Sequence, residues 1–196
     1  MTKTKIKNKT AMLCMCALFT ALTAVGAFIK IPIPYVPSTL QVFFTTLAGL
    51  ILGGKYGALS VGAYVALGLI GVPIFVEGGG FFYVAKPTFG YLIGFIIGTY
   101  VTGKIANAVS SPSLKRILAA IFAGLGIVYA LGTVYFYLAS NLWIENGAIS
   151  IGVCLLHCFV LVCPGDIVFS IVAAFIAKRL IPIARKYLPE TGGNEK

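Results

Sequence analysis

The sequence predicts an all-α integral membrane protein: a six-transmembrane-helix bundle with both termini cytoplasmic. Three observations predict it. The 196-residue chain is 59% hydrophobic and only 10% charged, with a mean hydropathy of +1.00, whereas a soluble domain is about 25% charged. Apolar runs recur at about the 20 residues that a helix needs to cross hydrocarbon. With six spans, all of the Lys and Arg residues except Lys30 and Lys86 fall in inner loops and tails, which is the positive-inside bias. The chain then reads as one transmembrane substrate-binding unit, 1–196, with short cytoplasmic tails of about 1–9 and 187–196. Little room is left for a soluble domain.

The first helix is expected at 10–29. Lys3, Lys5, Lys7 and Lys9 precede it and imitate a signal peptide, but the apolar run is longer than a signal core and more spans follow. Ala17 and Ala21 lie one turn apart, with Ala24 beyond. Small residues so spaced admit a second helix, either from within the bundle or from a partner chain. Residues 30–39, K-I-P-I-P-Y-V-P-S-T, hold three prolines and read as a stiff extended outer loop. Ser38 or Thr39 is placed to cap helix 2, expected at 39–52. Gln41, in its first turn, suits a ligand-facing role, a capping role or an interfacial one. A tight glycine-rich turn at 53–57 leads to helix 3, at 58–70. Gly49, Gly54 and Lys55 imitate a phosphate-binding loop, but Tyr56 stands where Ser or Thr would ligate magnesium, and a membrane helix stands where a strand belongs. Any ATP hydrolysis therefore falls to another chain.

The stretch 71–86 breaks the hydrocarbon pattern. It carries Glu77 and Lys86, and the glycines Gly78, Gly79 and Gly80, which stop a helix and free backbone groups for protein, water or ligand. Pro87 and Thr88 restart a helix, expected to end near 109, with Tyr91 one turn in. Gly90, Gly94 and Gly98 make a close-packing stripe on it. After a turn at 110–113, Lys115 and Arg116 open a helix reaching about 138. A polar turn at 141–147 contains Trp143, an interfacial type of residue.

The last third allows two counts. Segment 149–163 is short for a span, and Pro164-Gly165-Asp166 separates it from segment 167–183. Counting the first as interfacial or re-entrant gives six spans. Counting it in full gives seven, and puts Lys178, Arg179, Arg185 and Lys186 outside, against the charge bias. Six is the reading adopted, with Glu77, Lys86, Glu145 and Asp166 on the outer side or in a pocket open to it.

Asp166 is the sharpest signal of chemistry. A carboxylate beside a Pro-Gly break between apolar segments is costly unless paired, hydrated or used. It accepts strong bonds from N–H donors; pairing with Lys86, or capping the last helix, would be a purely structural use. Lys86 suits a carboxylate. The glycine loop, with Gly78 and Gly79, offers backbone donors and acceptors. Phe75, Phe81, Phe82, Tyr83 and Tyr91 offer aromatic walls. Together they suit a small solute with a donor head and an anionic tail.

Other classes fit less well. An enzyme needs a nucleophile with its base, a carboxylate pair or a metal; the chain has one His, and no spacing suggests an Asp166–Glu77 dyad. An ion or proton pathway needs repeated intramembrane charges. A nucleic-acid partner does not follow from the net charge of +10, because the basic residues mark span ends, where anionic lipid meets them. Cys14, Cys16, Cys154, Cys158 and Cys163 read as small buried apolar residues. With His157 they match no zinc pattern, so no metal and no cofactor is expected. His157 reads as a packed residue bonded to a carbonyl.

These residues resemble the BioY family, the biotin-binding S components of energy-coupling factor (ECF) transporters. The resemblance is carried by I-P-I-P-Y-V-P-S-T-L-Q-V-F at 31–43, L-A-G-L-I-L-G-G-K-Y-G-A-L-S-V at 47–61, G-L-I-G-V-P-I-F at 68–75, G-G-G-F at 78–81, P-T-F-G-Y-L-I-G-F at 87–95 and P-G-D at 164–166. It implies a multi-pass subunit of a bacterial-type cell membrane, with a biotin pocket near the outer face. It implies as partners a transmembrane coupling protein, docked on Ala17 and Ala21 of helix 1, and two ABC-type ATPase subunits. Asp166 would accept from the ureido N–H groups of biotin and Lys86 would meet its valerate carboxylate. Gln41, Glu77, Gly78, Gly79, Thr88 and Tyr91 complete the expected binding set. Two positions depart from the family: Phe169 stands where a basic residue is frequent, and Glu77 where Gly or Asn is. An S component for another small vitamin is the alternative, and a membrane enzyme a more distant one.

Overall fold

A computed structural model describes residues 2–143 and 149–188, so Glu145 lies outside the described residues. Among the described residues, five helices are long and apolar enough to cross a membrane. They are α1 (Thr2–Phe28), α2 (Gln41–Leu69), α3 (Phe89–Ala106), α4 (Leu114–Leu142) and the run Ile151–Tyr187, which contains α5 (Ile151–Leu155) and α6 (Cys163–Tyr187). α1 begins at Thr2, so most of the expected N-terminal tail continues the helix.

α2 is a hairpin of two helical arms. Gly53 alone leaves helical geometry, at φ 79° and ψ 174°, a conformation that costs glycine little and other residues much. The fold-back is direct: Gln41 Nε2 donates to Tyr64 Oη at 2.9 Å, although 23 residues separate them. A straight helix would put them about 34 Å apart. The expected turn at 53–57 therefore shrinks to one residue.

α3 packs between the α2 hairpin and α4. Its glycine stripe faces α4: a Cβ on Gly94 would lie 2.9 Å from Val128 Cα, and one on Gly98 2.7 Å from the Gly124 carbonyl oxygen. Backbones that close interlock by dispersion, which stands in for the hydrophobic drive that lipid removes. α1 packs on α2, where Thr20 Oγ1 donates to the Ser60 carbonyl at 2.8 Å. Its buried face carries Met12, Cys16, Phe19 and Thr23, and Ala17 and Ala21 point the other way, exposed. Packing of these alanines within the bundle is thus ruled out. Cys14 shares the outward face, so it is not the buried residue expected, and Cys163 is half-buried.

The proline-rich stretch closes one end of the bundle as a β-ribbon. β1 (Lys30–Ile31) pairs antiparallel with β2 (Ser38–Thr39), and Tyr35 turns the chain at φ 67°. The ribbon, rather than a simple extended loop, forms because the prolines lie at or between its short strands and leave the N–H groups of Lys30, Ile31, Ser38 and Thr39 available. Leu40 takes the N-cap position of α2, and Thr39 acts from one residue earlier, its Oγ1 accepting from the Gln41 N–H at 3.4 Å.

The largest difference from expectation lies in the last third. Residues 151–187 keep helical geometry throughout, and the segment before Pro164 is neither separate nor re-entrant. A π-helical turn, Leu156–Val160, joins α5 to α6. Leu161 and Val162 stay right-handed helical, and Leu161 N–H donates to the Leu156 carbonyl at 3.0 Å. Pro164 has no N–H and clashes with the carbonyl a turn earlier in a regular helix; a widened turn just before it relieves both defects.

At the opposite end, cations from α6 bind the turn between α3 and α4. Arg185 Nη2 donates to Asn107 Oδ1 at 2.8 Å, and Asn107 Nδ2 donates to the carbonyls of Gly103 at 3.0 Å and Leu50 at 3.2 Å. Lys178 donates to the Pro112 carbonyl at 3.2 Å. The α3–α4 seam makes a prediction. Gly94→Ala lowers the unfolding midpoint in detergent, costing about 1–3 kcal/mol through overpacking. Gly126→Ala, where a Cβ meets nothing within 4 Å, leaves the midpoint unchanged or raises it.

Candidate functional site

A cavity opens at the ribbon end, between the α2 hairpin, α3, α4 and the first turn of α6. Val36, Pro37, Val42, Val76, Leu92, Phe95, Val128 and Val162 give it apolar walls, with the rings of Tyr83, Tyr91 and Tyr129. Its polar lining comes from Thr39, Gln41, Glu77, Thr88 and Asp166. The structure thus brings together five of the expected residues: Asp166, Glu77, Gln41, Thr88 and Tyr91.

Asp166 lies in the first turn of α6 and lines the cavity. It is only 2% exposed. Tyr129 Oη donates to Oδ2 at 2.7 Å, and Ser38 Oγ approaches Oδ1 at a long 3.5 Å. No cation pairs with Asp166 among the described residues. A carboxylate has room for about four hydrogen bonds, so these two contacts leave acceptor capacity on a residue that lines the cavity. A buried carboxylate with spare acceptor capacity can take a hydrogen bond from an N–H donor.

Lys86 is not a partner of Asp166. Its Nζ lies 2.6 Å from Glu77 Oε2, and the side chains of this pair are 40% and 52% exposed. The pair stands at the edge of the cavity, and Lys86 also lies 5.1 Å from the centroid of the Tyr83 ring. Burial raises the Tyr83 hydroxyl above its ordinary pKa, which keeps it a neutral donor and acceptor.

The remaining expected residues divide. Gln41 is committed to Tyr64, whose hydroxyl donates onward to the Ile74 carbonyl at 3.1 Å. Tyr91 presents its ring, while its hydroxyl donates to the Cys158 carbonyl at 2.9 Å, in the widened turn. Thr88 Oγ1 is buried and has no hydrogen-bond partner among the described residues. Gly78 and Gly79 stand behind the lining. Gly78 exchanges backbone hydrogen bonds with Phe75, at 2.8 and 3.2 Å, and Gly80 N–H donates to the Gly68 carbonyl at 2.7 Å. A Cβ on Gly79 would collide with the Val72 carbonyl. Phe75, 1% exposed, plugs the loop between Tyr64 and Tyr83, with centroids 5.4 and 4.5 Å away. His157 meets a carbonyl, that of Val153, at 3.0 Å, and stacks edgewise on Tyr35.

Tyr129 and Ser38 are the partners that sequence reasoning missed. One signal for Tyr129 is present. Tyrosine gathers at membrane interfaces, and Tyr129 falls in the middle of the 29-residue α4, where its hydroxyl needs a buried partner.

The fold and cavity define a multi-pass helical membrane protein shaped to hold a small solute at one end. The chain belongs to the BioY family, whose pattern matches residues 1–186. It is 45% identical over 179 residues to a Lysinibacillus sphaericus protein named "Probable biotin transporter BioY", covering 91% of each chain. It is 45% identical to the biotin transporter BioY of Thermotoga maritima, covering 83% of this chain and 91% of that one. A solved structure, the S-component for biotin from an ECF-type ABC transporter, superposes with a TM-score of 0.79 at 30% identity, over 92% of this chain and 94% of that one. The family and these relatives are transporters, not enzymes.

The two contacts to Asp166 differ in strength. Tyr129→Phe, which leaves Oδ2 without its 2.7 Å donor, lowers the unfolding midpoint in detergent by the equivalent of about 1–3 kcal/mol. Ser38→Ala, at 3.5 Å, lowers it less. An equal or reversed ranking would show that Tyr129 does not hold Asp166.

Proposed function

We propose that this chain is the biotin-binding S component of an ECF-type uptake transporter. One observation carries the reading: a carboxylate, Asp166, 2% exposed and with a hydroxyl donor on one oxygen, facing an aromatic cavity. The ureido ring of biotin supplies the N–H donors that such an acceptor lacks. The thiophane ring and valerate chain supply apolar surface for the walls. Lys86, at the edge, is the cation for the valerate carboxylate, and Gln41, Thr88 and Tyr91 shape the floor and sides. Gly78 and Gly79 act through the loop they permit, which closes over the bound ligand. Homology to proteins named biotin transporters, and to a biotin S-component, supports biotin over another vitamin.

Counting the two arms of α2 separately gives six spans, with both termini on the cytoplasmic side and the cavity at the outer face of the cell membrane. Residues 1–196 work as one transmembrane unit. The chain needs no cofactor and makes no covalent change in its ligand. Transport is powered by partners, a transmembrane coupling protein and two ABC-type ATPases, and Ala17 and Ala21 form the docking stripe. Their exposure on α1 supports this, because small outward residues let a partner helix come close.

Purified protein in detergent binds biotin, and Asp166→Asn weakens that binding by about 10- to 150-fold, the worth of a hydrogen bond to a charged group. Equilibrium binding reads this directly. Binding retained in the variant would remove Asp166 as ureido acceptor, and no binding by folded wild type would remove biotin as ligand. Ala17→Trp with Ala21→Trp abolishes co-purification with the coupling protein and leaves biotin affinity unchanged. Undiminished assembly would remove the docking role.

A further inference from the structure

Two features at the tail end of the cavity are more than a plain carboxylate requires. First, Lys86 already has an anionic partner, Glu77, at 2.6 Å. Second, a further cavity begins at the same ion pair. It is lined by Tyr35, Glu77, Lys86, Thr88, Phe136 and Ser140, and it shares Glu77 and Thr88 with the main cavity. On the biotin reading, with the ureido ring at Asp166 and the valerate toward Lys86, the tail meets an ion pair that borders a second cavity.

An ion pair matches a different group from a lone cation. A carboxylate offers acceptors only. Lys86 attracts it, and the Glu77 carboxylate beside Lys86 repels it. An amide offers one donor and one acceptor side by side. Its N–H can donate to Glu77 while its carbonyl accepts from Lys86, and neither charge is left facing its like. The pair is about half exposed, so it contributes little stability of its own and yields to an entering group at small cost.

The geometry points to a tail subsite, made of the Glu77–Lys86 pair and the adjoining cavity, that admits carboxyl-amidated biotin as well as the free acid, with Glu77 setting the preference between them. The inference rests on the biotin reading above. The test is competition binding by purified full-length protein with biotin, biotinamide and ε-biotinyl-lysine, in wild type and Glu77→Gln. In wild type both amides bind within about tenfold of biotin. In Glu77→Gln the acid-to-amide affinity ratio rises by about fivefold, the scale of an exposed charge pair. Amides more than tenfold weaker than biotin in wild type, or a ratio unmoved by Glu77→Gln, overturn the subsite and leave the biotin reading intact. Failure of wild type to bind biotin itself overturns both.

Discussion

Asp166 carries its charge where water is almost absent, and a buried carboxylate is tolerated only if hydrogen bonds replace hydration. The elements around it are arranged to do this in part. The first turn of α6 carries the side chain, α4 supplies the Tyr129 hydroxyl, and the β-ribbon brings Ser38 to the other oxygen. Three separate parts of the chain thus converge on one group and leave it under-satisfied on the cavity side. A group in that state favours any ligand that delivers N–H donors, because the ligand supplies what solvent no longer can.

Holding that arrangement requires a scaffold that does not slide, and lipid gives no hydrophobic drive for helices to associate. Glycine seams take over. α3 lies against α4 at backbone contact, along Gly94 and Gly98, and α2 doubles back at Gly53 so that both of its arms meet neighbouring helices. The end away from the cavity is closed by Asn107 and Arg185 on backbone carbonyls. The glycine loop, which looks mobile by composition, is anchored through Phe75 and the Gly68 carbonyl. Close packing below and a loop anchored through Phe75 above frame the cavity.

Much of this was legible along the chain. Apolar runs mark the helices, the stripe at Gly90, Gly94 and Gly98 marks a contact face, and the carboxylate at the Pro-Gly pair lines a cavity. Misreadings came where a local rule met a longer-range remedy. Pro164-Gly165 reads as a break, yet a wide turn upstream lets the helix run on. Ser38 and Thr39 read as caps, yet the ribbon assigns them to β2. Pairing of Lys86 with Asp166 reads as one structural option, yet the carboxylate it meets is Glu77, nine positions earlier.

What the sequence by itself determined is the class of environment: hydrocarbon outside, a polar interruption at 71–86, and a carboxylate, Asp166, between two apolar segments. Composition is enough for that, because transfer energies belong to residues one at a time. Only the tertiary structure decided the partners. It put Tyr129 on Asp166, 37 positions away, Gln41 on Tyr64, and Ala17 and Ala21 on the outward face of α1. Hydrogen bonds are short-ranged and directional, so which groups meet depends on how helices are turned and folded back. That is set by the packing of all of them together.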